Sequence, residues 1–342
     1  MASVAEVASR DETSLLRNWR EVLLTGGLRP GKRVDPVSRW LILTRASVLP
    51  MTLTSGLIGG LLAAGHPQAS WLFFSVSLVG LLVAHACNNL MNDYFDFTSG
   101  VDTSVSPRAL YAPHPVLAGW VSEGGLLRAI LLLNGVGAVI LAVLFTVRGW
   151  PVVALAAAGL FVSVFYVAPP LRLKHRGLGE PGVFVVWGPL MIGGTYYVTT
   201  GELPAWVWVA SIPYAILVTT VLIGKHVDKL EHDSQRGVRT LPVVLGERNT
   251  LLLNQGLMVS FYLVVAGLVV SGTLGVGALL VFASVPLCLR MLKLYSEPRP
   301  KEPPPGYRIW PLWYVASAFV LTRRAGMLFV AGLLLDRLLP FG

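Results

Sequence analysis

The chain has 342 residues, of which 54% are hydrophobic and only 13% charged, and its formal net charge is +9. Soluble domains carry about a quarter charged residues, so half that share excludes an ordinary water-soluble domain and points to lipid as the main solvent. The basic excess falls in alternate loops between apolar runs, which excludes nucleic acid as its target and ties it to membrane topology.

Residues 1–44 form a polar arm without a long apolar core, so no cleavable leader is expected. Within it LLRNWREVLL is apolar on one face and charged on the other, which fits an interfacial helix or a solvated arm. Residues 45–342 read as a single transmembrane domain. Hydrophobic segments fall at about 47–65, 71–91, 125–147, 151–168, 181–200, 205–224, 250–272, 274–293 and 312–339. Each approaches the roughly 20 residues that cross a bilayer. The last is interrupted by Arg323 and Arg324. About nine spans are expected, all helical because lipid offers backbone groups no partner. The fold class is therefore an all-α polytopic membrane protein.

Basic residues gather in the arm from Arg10 to Arg45, after the fourth span (Arg172, Lys174, Arg176), after the sixth (Lys225, Lys229, Arg236, Arg239, Arg248) and after the eighth. The alternate loops hold little beyond Arg148 and Glu202. The positive-inside rule places the amino terminus and the basic loops in the cytoplasm. Asp93, Asp96, Asp102, Glu180, Asp228, Glu231 and Asp233 lie at that same face. Cys87 and Cys288 sit in apolar runs, so neither a disulfide framework nor a thiolate metal site is expected.

Two acidic stretches carry the chemistry. In NNLMNDYFDFTSGVD, residues 88–102, the spacing of Asn89, Asn92, Asp93 and Asp96 places four oxygen-bearing side chains on one helical face. Gly100 is expected to end that helix and let Asp102 fold back. Carboxylates are costly at a membrane boundary, and a hard cation such as Mg²⁺ would offset the cost. In GKHVDKLEHDSQRGVRTL, residues 224–241, Asp228 and Glu231 share a face, with Lys225, Lys229, Arg236 and Arg239 around them. Carboxylates for metal beside cations for phosphate suit a metal-bound diphosphate.

NDYFDFTSGVD resembles the first aspartate-rich motif of the UbiA superfamily of intramembrane prenyltransferases, in its menaquinone-type form. YVAPPLRLKHRGLGE resembles the family's loop after the fourth span, DSQRGVRTLPVVLG the end of its second motif, and RASVLP the opening of its first span. The resemblance implies a helix bundle around a central cavity, with a cytoplasmic cap and an opening to lipid. It also implies a prenyl diphosphate bound through two Mg²⁺ ions, whose allylic cation is trapped by an aromatic or lipid-soluble acceptor. By the same resemblance Asn92, Asp96, Asp102 and Asp233 match metal positions, and Lys174 and Tyr166 match loop positions that face the diphosphate. Catalysis is thus assigned to Asp96, Asp233, Lys174 and Tyr166. Diphosphate binding falls to Arg45, Arg108, Lys174, Lys225 and Arg239.

The second motif departs from the family in one place. Where an aspartate usually stands four residues before Asp233, this chain has Lys229, with Asp228 one residue earlier. Either Lys229 pairs with Asp233 and leaves Asp228 and Glu231 to the second metal, or a distorted helix joins Asp228 to Asp233. His226 and His232 read as polar-cap residues; the faces of Tyr166 and Trp187 could stabilise the cation, although Trp187 and Tyr197 read first as packing aromatics. The leading expectation is prenyl transfer to an aromatic or quinone-precursor acceptor. The alternatives are a membrane terpene cyclase and an ion-coupled transporter.

Overall fold

The computed structural model describes residues 15–29, 32–104, 106, 113–307 and 309–339. Among them the chain is helical, with one isolated bridge between Arg176 and Arg239 as its extended pairing. Eight helices are long and apolar enough to cross a membrane: Ala46–Ala63, Trp71–Thr98, Glu123–Arg148, Gly179–Thr200, Ala205–Asp228, Glu247–Val270, Val276–Ser296 and Tyr314–Leu338. A shorter apolar helix, Trp150–Phe165, stands fourth in chain order. All nine expected segments are therefore helical, and they are numbered here as the first to ninth spans.

Two spans run past their apolar stretch. The second continues to Thr98 and the sixth to Asp228, carrying the two acidic motifs as extra helical turns. Asn92, Asp93, Asp96, His226 and Asp228 are all buried. They are enclosed by protein rather than lipid, so polar side chains find partners and the helices persist.

The sixth span is the axis of the bundle. Of its apolar window 78% is buried, against 11% in the third span, whose Leu131, Leu132 and Val139 point outward to the lipid side. Gly224 allows a close approach on this axis. A Cβ there would lie 2.9 Å from the Tyr295 hydroxyl and from the backbone of Tyr314 and Val315. The start of the ninth span is thereby pressed against the end of the sixth.

The amino-terminal arm contributes two helices. Leu15–Thr25 exposes Leu15, Leu16, Leu23 and Leu24 while burying Asn18 and Val22. Pro36–Leu43 begins at Asp35, whose carboxylate accepts from the Ser38 amide at 2.9 Å and the Trp19 indole at 3.0 Å. That is an N-cap followed by proline at the first helical position. Leu24, Thr25 and Gly26 then reach the wall of the internal cavity, so the arm closes part of the bundle.

Candidate active site

An apolar cavity of about 670 Å³ is lined by the first six spans and by residues at the start of the ninth. Above it lies a small polar pocket formed by Arg45, Asn92, Asp96, Asp102, Tyr166, Lys174, Lys225, His226 and Lys229. Arg45, Asn92, Tyr166 and Lys225 line both spaces and mark their junction.

The stripe read from the first motif divides into two jobs. Asn92 and Asp96 face the polar pocket, and the Lys174 ammonium lies 2.8 Å from both Asp96 oxygens. Gly100, at φ +73°, ends the helix, and the Asp102 amide donates to the Asp96 carbonyl at 2.9 Å. The chain thus folds Asp102 back into the pocket, as its spacing suggested. Asn89 and Asp93 do not line that pocket. The Asn89 amide donates to the Thr44 carbonyl at 2.9 Å, and the fully buried Asp93 pairs with Arg45. Both fasten the second span to the turn at Arg45, whose backbone is left-handed at φ 52°. Asp93, Asp102 and His114 each bring a ligand atom within 4.8 Å of one another. The His114 ring is held there by its contact with the Asp93 carbonyl at 3.3 Å and by the Leu117 amide at 3.4 Å.

The second motif differs more from its sequence reading. Both oxygens of Asp228 accept backbone amides of the ninth span, from Tyr314 at 3.0 Å and Val315 at 2.9 Å, with Arg299 at 3.9 Å. This carboxylate caps a helix and turns away from the pocket. Glu231 is exposed and takes a bond from Gln235, outside the pocket as well. The sixth span breaks at Lys229, and a new short helix, Leu230–Gln235, begins there. That break swings Asp233 to full burial behind Lys229, which lines the pocket 3.7 Å away. The first alternative holds in part: Lys229 pairs with Asp233 as it supposed, but Asp228 caps the ninth span and Glu231 is exposed, so neither lines the pocket. Burial works to raise the Asp233 pKa, but the adjacent His232 and the nearby ammonium groups, Lys229 before Lys174, hold it at about 2.

The cations divide similarly. Lys225 lines both spaces and forms no ion pair among the described residues. Arg239 is exposed beside Arg176, away from the pocket, and Arg108 lies outside the described residues. Arg236 instead donates to the Gly100 and Val101 carbonyls, tying the second motif to the first.

Several buried oxygens in this crown accept no hydrogen bond among the described residues: Oδ1 of Asn92, Oδ1 of Asp102 and both oxygens of Asp233. Such atoms are costly without a partner. Hard oxygens in this number suit Mg²⁺, which takes carboxylate and amide oxygens with water and phosphate. The donor set therefore fits the cation expected from the sequence.

Sequence reasoning missed two features. Tyr166, His226 and Glu180 form a buried hydrogen-bonded line, with separations of 3.3 Å and 2.6 Å. Burial, then the carboxylates of Glu180, Asp96 and Asp233, push the Tyr166 hydroxyl well above the usual tyrosine range. Trp187 lines the cavity from a π-helical segment, Val186–Gly193, built around Pro189. π-Helical turns recur at functional sites, and a proline inside an apolar span was the available signal. Tyr197 is a packing residue as read, its hydroxyl donating to the Arg148 carbonyl at 2.5 Å.

The Lys174–Asp96 pair yields a direct expectation. Lys174→Ala strands a buried carboxylate and should lower stability by about 3 kcal/mol, whereas Lys174→Ala/Asp96→Ala should recover much of that loss. Thermal unfolding of the two variants in detergent measures the difference.

The family model of UbiA prenyltransferases matches residues 52–333. The chain belongs to the UbiA prenyltransferase family. As a UbiA family member it is an enzyme of the prenyltransferase class and an integral, multi-pass membrane protein. It is 24% identical over 255 residues to the 1,4-dihydroxy-2-naphthoate octaprenyltransferase of Bacillus subtilis, a match covering 75% of this chain and 81% of that one. It is 26% identical to the 2-carboxy-1,4-naphthoquinone phytyltransferase of Synechocystis, covering 72% and 77%. Among solved structures, a UbiA homolog from Aeropyrum pernix superposes with a TM-score of 0.64 at 16% identity, over 84% of this chain and 96% of that one. The UbiA homolog from Archaeoglobus fulgidus bound to GPP and Mg²⁺ gives 0.54 at 15% identity, over 85% and 99%. These likenesses establish the UbiA fold for the bundle described above.

Proposed function

We propose that this enzyme transfers the prenyl group of a prenyl diphosphate to an aromatic quinone precursor, through an allylic cation. The observation that carries the reading is the junction itself. A pocket of unsatisfied oxygens and cations opens, through Arg45, Asn92, Tyr166 and Lys225, onto an apolar cavity of about 670 Å³. A prenyl diphosphate has that same division between a charged head and an apolar tail.

Asn92, Asp96, Asp102 and Asp233 would hold Mg²⁺, two ions by the family resemblance, and bound Mg²⁺ would neutralise charge that develops on the leaving diphosphate. Lys225 and Arg45, at the junction, and Lys174, on Asp96, hold diphosphate oxygens as the carbon–oxygen bond breaks. The apolar walls keep water from the cation left behind. The ring faces of Tyr166 and Trp187 favour positive charge in that space. The names of the Bacillus and Synechocystis relatives support a naphthoate-type acceptor. The basic loops support a cytoplasmic side for the amino terminus and this crown.

The test is incubation of the purified protein with Mg²⁺, prenyl diphosphates and a panel of phenolic and naphthoic acids, read by mass spectrometry. A prenylated aromatic product that disappears with EDTA is expected. Cyclised hydrocarbon or alcohol formed equally well without any acceptor would replace this reading with a terpene cyclase.

A further inference from the structure

The proposed transfer leaves one buried group of titratable side chains without a task in proton transfer. Tyr166 is 8% exposed, Glu180 2% and His226 1%. They come from the loop after the fourth span, the start of the fifth and the end of the sixth. Gly179 makes room for their meeting, since a Cβ there would lie 3.1 Å from the Tyr166 ring and 3.6 Å from His226 Cε1. Glu180 Oε1 lies 2.6 Å from His226 Nδ1, which fixes the imidazole proton on Nδ1. Nε2 therefore offers its lone pair to the Tyr166 hydroxyl at 3.3 Å. The order carboxylate, imidazole, hydroxyl is that of a general-base relay, and its hydroxyl end stands where polar pocket and apolar cavity join. Beside that hydroxyl, Asp96 carries Lys174 and Arg45 carries Asp93, while Lys225 is a cation without an ion pair among the described residues.

Electrophilic attack on a hydroxylated ring requires a base. As the ring's π electrons form the new bond to the allylic carbon, positive charge spreads to the hydroxyl oxygen and its proton must leave. We propose that Tyr166, His226 and Glu180 are the relay that receives this proton, an assignment that rests on the transfer reading above. The acceptor hydroxyl gives its proton to the Tyr166 oxygen, and the Tyr166 proton passes to His226 Nε2. The O–H electron pair stays on the acceptor as a ring carbonyl. The imidazolium is held by Glu180. Diphosphate has already departed with the electron pair of its carbon–oxygen bond, so charge and atoms balance. Tyr166 touches the acceptor in this scheme, while His226 and Glu180 are positioning and proton-storing residues behind it.

The test compares Tyr166→Phe, His226→Gln and Glu180→Gln on two acceptors, a weakly acidic phenol and one acidic enough to arrive as phenolate. With the first, kcat should fall about 100-fold, the usual worth of general-base assistance. With the second, most of that loss should vanish, because no hydroxyl proton remains to be moved. Tyr166→Phe removes one oxygen and keeps the ring, so it preserves packing if the other two variants misfold. Equal losses on both phenols, or no loss on either, would overturn the relay alone. A wild-type enzyme that transfers to no acceptor would remove the transfer reading and the relay together.

Discussion

Asp233→Asn should lower turnover by about 10³-fold, close to 4 kcal/mol of transition-state stabilisation, which is the order of a lost metal-binding carboxylate. The residue is fully buried, its pKa is held at about 2, and among the described residues its oxygens have cations no nearer than 3.6 Å and accept no hydrogen bond. An ionised carboxylate in that state is a poor structural element and a good cation ligand. Asparagine preserves its shape and removes only the charge. The folded protein should remain monodisperse in detergent, so the loss is read in steady-state kinetics at saturating Mg²⁺. Turnover within tenfold of wild type would move the second half of the diphosphate site elsewhere, with Glu231 the nearest remaining acid in sequence.

Asp228 should behave in the opposite way. Its carboxylate receives the Tyr314 and Val315 amides and stands near Arg299. Asp228→Ala leaves a buried N–H group, that of Tyr314, and a half-buried one, that of Val315, without their acceptor. Hydrogen bonds to a charged partner contribute about 1.5–3 kcal/mol each, and adjacent ones are not fully additive, so a loss of about 3 kcal/mol is expected. Asp228→Asn, which keeps one acceptor oxygen, should lose less. The Mg²⁺ concentration for half-maximal turnover should stay within about twofold in both, because no metal ligand has been removed. A tenfold rise in that concentration would return Asp228 to the ligand set. Together the two variants separate residues that stand five positions apart in one acidic run.

The spans were legible because lipid permits little except apolar helix, and every segment read from hydropathy is helical. Their ends were less legible. Hydropathy follows the lipid boundary, whereas the second and sixth spans follow hydrogen bonding, and these continue to Thr98 and Asp228 inside a protein crown. Helical spacing correctly grouped Asn92 with Asp96 and brought Asp102 back through Gly100. It did not separate them from Asn89 and Asp93, because the partners that claim those two, Thr44 and Arg45, lie more than forty residues away. The break at Lys229 carries no proline or glycine to mark it, so spacing alone groups Asp228 with the metal carboxylates. The Tyr166–His226–Glu180 line joins residues 46 and 60 positions apart, a separation at which spacing carries no information.

The Arg236 contact with Gly100 shows that the two motifs meet at one membrane face, although four spans lie between them in the chain. Four is an even number, and the site depends on that parity. If a single intervening helix, such as the short Trp150–Phe165, failed to insert, the two halves would emerge on opposite sides of the bilayer. Each would be locally intact, and no diphosphate could be bound by both. Turnover in this enzyme is therefore a report on insertion: a membrane preparation that transfers prenyl groups has threaded its middle spans in the correct sense.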